Sequence, residues 1–142
     1  MHERSRASSR AFSFGLAVVF ALVGGVFLFL PREMLTFFNA VSRRLGMIEG
    51  PAERSFFGVL AAAYMYVVTV LAWFMYRFPG EKIYPLILGQ AKIASSLLSF
   101  LMFFFQAPWL VYLVNGIVDG GLGLVVLVMF LRVGAAAGRA ER

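Results

Sequence analysis

The sequence contains no cysteine, and its only histidine is His2. The lack of cysteine excludes disulfides, iron–sulfur clusters and catalysis by a thiolate, because each needs cysteine side chains. Haem or zinc sites built on histidine lack their ligands as well. We therefore expect no cofactor and no bound metal ion.

Charged residues are also scarce. They make up 14% of the 142 residues, whereas hydrophobic residues make up 61% and aromatic residues 16%. Soluble domains carry about 25% charged residues. This composition is typical of a membrane protein, and the length suits one domain that covers residues 1–142 and has the lipid bilayer as its surroundings.

The net charge of +6 comes from 13 Lys and Arg against 7 Asp and Glu. In a soluble protein such an excess would indicate nucleic acid as a partner. Here almost all the basic residues flank the apolar segments, as membrane topology signals do. We therefore expect no binding of nucleic acid.

Four apolar segments are each long enough to cross a bilayer, which takes about 20 helical residues. They comprise residues 11–30, 56–76, 83–106 and 109–131. The competing interpretation of the first is a secretory signal peptide, but its apolar run exceeds the usual length of about 7 to 15 residues. The short break between the last two forces them to be antiparallel neighbours. The sequence thus predicts an all-α integral membrane protein whose four transmembrane helices form an antiparallel up-down bundle.

The connection after the first segment contains an amphipathic pattern over residues 32–45. Its apolar residues recur at helical spacing, at Met34, Phe37, Phe38, Val41 and Leu45. Such a helix beside an apolar span is expected to lie in the plane of the lipid headgroups. The alternative is a helix that caps the bundle, and the pattern is compatible with both placements.

The basic residues around the four segments predict an orientation. With the amino terminus in the cytoplasm, eight Lys and Arg residues lie inside and four lie outside, which supports cytoplasmic N- and C-termini under the positive-inside rule. The chain resembles the small four-helix inner-membrane proteins of bacteria in general. We therefore expect a multi-pass protein of the cell inner membrane.

Two charges, Lys92 and Asp119, lie near the middle of the last two apolar segments. Folding these segments about residues 107–108 brings Asp119 level with Ser96 and within reach of the Lys92 side chain. Buried charges within membranes seldom face lipid. We predict an intramembrane polar cluster whose members share helix faces or depth: Lys92, Ser95, Ser96, Ser99, Asn115, Asp119 and Tyr66.

The function of this cluster has two competing interpretations. A structural ion pair would fix which helices pack together, whereas a proton- or ion-linked site would belong to a small transporter or channel component. A Ser–Lys dyad is the only nucleophile and base combination that the segments offer, and an aspartate that keeps the lysine protonated argues against it. The sequence therefore favours a non-enzymatic structural or accessory membrane subunit over the transporter.

Glycines recur on the last apolar segment, at Gly116, Gly120 and Gly123. The spacing of Gly116 and Gly120 lets two helix backbones approach closely. The close contact can lie within the chain or between two copies, and we expect it within the chain. The expected partner is either another membrane protein or a second copy of this chain.

Overall fold

A computed structural model of the chain describes residues 2–50 and 56–140, and describes side-chain burial for residues 7–50 and 58–131. The described residues form five α-helices, namely α1 His2–Phe29, α2 Pro31–Arg44, α3 Phe56–Arg77, α4 Ile83–Phe105 and α5 Leu110–Ala140. Four of them, α1, α3, α4 and α5, are long and apolar enough to cross a membrane. The predicted all-helical fold with four such helices is confirmed at this level.

The outer helices extend beyond their apolar segments. α1 begins at His2, ahead of the predicted start at residue 11, and α5 continues to Ala140, past the predicted end at residue 131. Neither extension contains proline, and alanine and arginine favour helix. Between α4 and α5 the helix is interrupted, because Pro108 has no backbone N–H to donate.

The short helix α2 has clear start and stop signals. Pro31 occupies its first turn, where a missing N–H costs nothing. At its end Gly46 has a φ of +67°, the Met47 N–H donates to the Ser42 carbonyl at 2.9 Å, and the Gly46 N–H donates to the Arg43 carbonyl at 3.3 Å. This is a Schellman motif, and it explains why the amphipathic helix stops where glycine appears.

The long helices pack as two extensive pairs, α1 with α3 and α4 with α5, and α3 joins the pairs through α4. In the contact between α4 and α5, Gly89 faces Leu127 and Gly116 faces Phe100. The apolar core lies between the pairs. It is formed by Leu16, Ala17, Phe20, Met65, Val68, Ala72, Met75, Leu88 and Val126.

Helix α2 lies against α1 and α5. Two reciprocal hydrogen bonds fold the following loop back onto it, since Asn39 Nδ2 donates to the Gly50 carbonyl at 2.8 Å and the Gly50 N–H donates to Asn39 Oδ1 at 2.9 Å. Phe38 is half-buried, whereas Phe37 is 62% exposed. The tandem phenylalanines therefore point in different directions, one toward the bundle and one away from it.

Candidate functional site

The two charges of α4 and α5 meet inside the bundle. Lys92 Nζ donates to Asp119 Oδ1 at 2.8 Å. Lys92 is 2% exposed and Asp119 is 4% exposed. An ion pair buried this deeply is stable only if each charge has the other close by, because removing a charge from water is costly.

Two aromatic rings complete the surroundings of the lysine. Lys92 Nζ lies 4.6 Å from the centre of the Phe20 ring and 4.9 Å from the centre of the Tyr64 ring. Both distances suit cation–π attraction. The lysine on α4 therefore contacts α1, α3 and α5, and it holds a position at which all four long helices meet.

The carboxylate is less fully satisfied than the amine. Asp119 Oδ2 is buried and has no hydrogen-bond donor among the described residues. A buried acceptor without a donor retains a desolvation cost. The pair is consequently a specific contact between helices rather than an optimised source of stability.

The neutral polar residues join the same two helices. Ser96 Oγ donates to the Gly116 carbonyl at 2.6 Å, and Asn115 Nδ2 donates to Ser99 Oγ at 2.7 Å and more weakly to Ser95 Oγ at 3.3 Å. These bonds continue from the ion pair toward the end of α4. The structure thus brings together every member of the predicted cluster except one tyrosine.

That exception is Tyr66. We expected it beside the pair, but it is 71% exposed and points away from the bundle. Tyr64 is the tyrosine that contacts the lysine, and its hydroxyl donates to the Ala91 carbonyl at 3.2 Å. Two residues along a helix are about 200° apart, so the two tyrosines cannot share a face. Tyr64 shares its inward face with Val68 and Ala72, which follow at i+4 and i+8.

Phe20 is a second contact that the sequence did not indicate. It is one of sixteen phenylalanines and lies in a helix that is apolar on every side. No pattern in that helix distinguishes the face turned toward Lys92. Only the packing of α1 on α3 brings the ring over the amine.

The glycines of α5 make room for α4. A Cβ atom at Gly116 would lie 3.0 Å from the Phe100 ring, one at Gly120 would lie 2.8 Å from Ser96 Oγ, and one at Gly123 would lie 2.9 Å from the Ile93 side chain. At Gly121 such an atom would meet nothing within 4 Å. The three predicted packing glycines therefore line one face, and the contact they make lies within the chain.

A cleft with a volume of about 900 Å³ opens beside the ion pair. All five helices contribute to its walls, and its polar lining consists of Arg32, Tyr64, Ser95, Ser99, Tyr112 and Asn115. Neither Lys92 nor Asp119 lines it. Tyr64 lines the cleft and its ring lies over the lysine, so this residue borders both the cleft and the buried charges.

The geometry narrows the chemistry that this site can perform. Lys92 donates to Asp119, and no serine hydroxyl is hydrogen-bonded to its amine in the part of the chain that the structure describes. Among the same residues, no group of three histidine, cysteine or acidic side chains comes together to hold a metal ion. The arrangement favours neither a Ser–Lys nucleophile nor a metal centre.

In comparisons with known proteins, no family model, no curated protein and no solved structure matches this chain.

Proposed function

We propose that this chain is a four-span integral membrane protein that acts as a non-enzymatic structural or accessory subunit. Its four long helices form an antiparallel bundle in the bilayer, with both termini in the cytoplasm. Lys92 and Asp119 hold the bundle together and carry no ion or proton. The observation that carries this proposal is the seclusion of the pair, since both side chains are almost fully buried and neither reaches the neighbouring cleft.

A pathway for ions or protons needs ionisable groups that a water-filled route can reach. Here neither charge lines the cleft, and Tyr64 borders both the cleft and the lysine. In addition, the rings of Phe20 and Tyr64 occupy the space around the amine that a transported ion would need. The seclusion of the charges is what a structural pair requires.

An accessory subunit also needs a surface for its partner, and α4 offers one. Its exposed residues Ile83, Ile87, Gln90, Ala94, Leu97 and Leu101 recur every three or four positions along one outward face. Gln90 is the polar member, about 10 Å inside the helix end at 1.5 Å per residue. An amide at this depth finds no hydrogen bond in lipid, so it favours a partner helix that presents an amide or hydroxyl of its own.

The proposed partner contact is tested by Gln90→Leu, with Gln106→Leu as the matched control because Gln106 lies just beyond the end of α4. A photoreactive amino acid at Ala94 reports the contact in intact membranes. We expect a cross-linked species with another membrane protein that Gln90→Leu abolishes and Gln106→Leu preserves. A cross-link to a second copy of this chain, or none, would contradict the accessory role.

The runner-up is a small transporter or channel component that uses the same pair. Asp119 Oδ2 favours it, because an unpartnered buried carboxylate oxygen can accept a proton. Proton flux into liposomes distinguishes the two functions. We expect flux at the level of empty liposomes for both the wild type and Lys92→Met/Asp119→Leu. Flux in the wild type that the double variant lacks would establish transport instead.

The proposed orientation rests on the eight-to-four distribution of basic residues. Because the chain has no cysteine, single cysteines can report on each side. Ser42 is buried, so the exposed positions Arg44 and Gly80 are the better sites. A cysteine at position 44 should react with an impermeant thiol reagent added to intact cells, and one at position 80 should react only after the membrane is opened. The reverse pattern would refute the orientation.

A further inference from the structure

The cleft beside the ion pair has the size and lining of a binding site. Its volume of about 900 Å³ falls within the range of ligand sites, about 300 to 1,000 Å³. Most of its wall is apolar, with Phe27, Phe38, Met65 and Leu98 among the lining side chains. A long hydrocarbon chain fits such walls.

The polar groups of the cleft are concentrated on α4 and α5. Asn115 donates to Ser95 and Ser99, which leaves its carbonyl oxygen as an acceptor. In the described part of the chain no donor is bonded to Asn115 Oδ1, and the Ser99 hydroxyl donates to no acceptor, whereas the Ser95 hydroxyl is hydrogen-bonded to the side chain of Tyr64. One acceptor and one donor therefore remain for a bound molecule.

The depth of these groups indicates which kind of polar head group they would bind on a ligand with a hydrocarbon chain. Ser99 and Ser95 lie six and ten residues before Phe105, the end of α4, or about 9 and 15 Å from that end at 1.5 Å per residue. In the proposed bilayer this is within the hydrocarbon of one leaflet. A phosphate head would stay at the interface and leave only acyl chains against the polar groups.

The charges around the cleft also favour a neutral head. Lys92 and Asp119 neutralise each other and do not line the cleft. The charged side chain that does line it, Arg32, is exposed in the first turn of α2. A charged head near Ser95 would be buried without a counter-charge, which is costly.

We propose that this cleft binds a neutral amphiphile, whose small head carries at least one hydroxyl group and whose tail is a long apolar chain. The head accepts a hydrogen bond from Ser99 and donates one to the Asn115 carbonyl, and the tail follows the apolar walls. Entry is between α3 and α4, where Val59, Leu60 and Leu98 are exposed cleft residues. This site is distinct from the ion pair, and its binding does not depend on the proposed subunit role.

Two probes with hydroxyl groups differ in source, namely decylubiquinol, with a hydroquinone head, and monoolein, with an acylglycerol head. Binding to the purified full chain is followed by native mass spectrometry and by thermal unfolding. We expect one molecule of at least one probe per chain, with a raised Tm. The probe with the higher affinity identifies the source, and phosphatidylglycerol serves as the anionic comparison.

Gly58→Phe tests whether the probe occupies this cleft. Gly58 lines the cleft, and a Cβ atom there would meet nothing within 4 Å, so the new side chain starts in open space. The matched control is Gly121→Phe, which is equally open but lies outside the cleft. We expect at least tenfold weaker binding for the first variant and unchanged binding for the second.

Asn115→Leu tests recognition of the head. Loss of its hydrogen bonds should weaken binding about fivefold to tenfold, since a net hydrogen bond contributes about 1 kcal/mol and 1.4 kcal/mol corresponds to a factor of ten. Thr69→Val is the control, because the Thr69 hydroxyl is bonded within its own helix to the Met65 carbonyl. The proposal is overturned if neither probe binds, if Gly58→Phe binds as well as the wild type, or if phosphatidylglycerol binds more tightly than both probes.

Discussion

Lys92 and Ser95 lie one turn apart on α4, and both have partners on α5, yet their surroundings differ. Lys92 is 2% exposed beneath the rings of Phe20 and Tyr64, whereas Ser95 lines an open cleft. α3 contacts α4 at Tyr64 and Ala91 and again at Phe74 and Tyr84. Beyond Tyr64 the cleft lies between these helices. The α4–α5 pair alone therefore leaves Ser95 open to the cleft, and the cover over Lys92 comes from α1 and α3.

The largest effect on the free energy of unfolding is expected for the buried pair of Lys92 and Asp119. Replacing Lys92 with Met alone, or Asp119 with Leu alone, leaves one buried charge without its partner, which should lower the free energy of unfolding by about 3 to 5 kcal/mol. The double replacement should be much milder, because Asp119 Oδ2 is already unpartnered and buried ion pairs are often replaceable by apolar side chains.

Unfolding titrations of the four proteins in detergent form a double-mutant cycle. The coupling should be well above the value of about 0.6 kcal/mol that is typical of neutral hydrogen bonds between membrane helices. If the two single effects were additive, the pair would contribute no specific interaction, and the contrast with the cleft would be lost.

Gly123→Ala and Gly58→Ala compare the tightly packed contact between α4 and α5 with the open cleft. A Cβ atom at Gly123 would lie 2.9 Å from the Ile93 side chain and 3.1 Å from the Ile93 backbone nitrogen. Gly123→Ala should therefore cost about 1 to 3 kcal/mol, the usual range for overpacking. Gly58→Ala meets open space and should leave stability unchanged or slightly higher. Thermal unfolding of the two variants checks this, and equal losses would mean that the cleft is closed in solution.

A third prediction concerns the neutral hydrogen bonds that border the cleft. Asn115 donates to Ser99 at 2.7 Å, but Asn115 is exposed. A cycle of Asn115→Leu with Ser99→Ala should yield a coupling of about 0.6 kcal/mol, several times smaller than that of Lys92 and Asp119. A coupling as large as that of the ion pair would show that depth along α4, and not closure by α3, governs these energies.

The smallest effect is expected at the exposed ion pair between Arg43 and Glu49. The two side chains are 2.9 Å apart, with exposures of 72% and 44%, and the hydrogen bond from Arg43 lowers the pKa of Glu49 from 4.5. The stabilisation is therefore present above pH 4.5 and is lost as the pH falls through the lowered pKa. Glu49→Gln should change Tm only slightly at neutral pH and not at all below that pKa. Added salt should reduce the difference, because exposed pairs are screened.

Much of the helical framework could be predicted from residue patterns. Four long apolar runs indicate four long helices, Pro31 and Gly46 delimit α2, and the short break before Trp109 makes α4 and α5 neighbours. Because α4 and α5 are neighbours, the rise per residue of a helix already places Lys92 near Asp119 and the serines near Asn115. The placement of Tyr66 in the polar cluster was wrong, because it used the depth of the residue along the helix and not the direction in which its side chain points.

The sequence alone therefore determined which segments are helical and which polar residues lie at the same level of α4 and α5, because helix geometry is local and the connecting break is short. Only the tertiary structure decided that Phe20 and Tyr64 cover the lysine, that Tyr66 faces outward and that a cleft opens beside Ser95. The physical reason is that α1 and α3 are apolar on nearly every side, so their sequences scarcely distinguish inward from outward faces. Their directions follow from many weak packing contacts, such as those of Phe20, Val68 and Ala72, which become defined only when all four long helices are together.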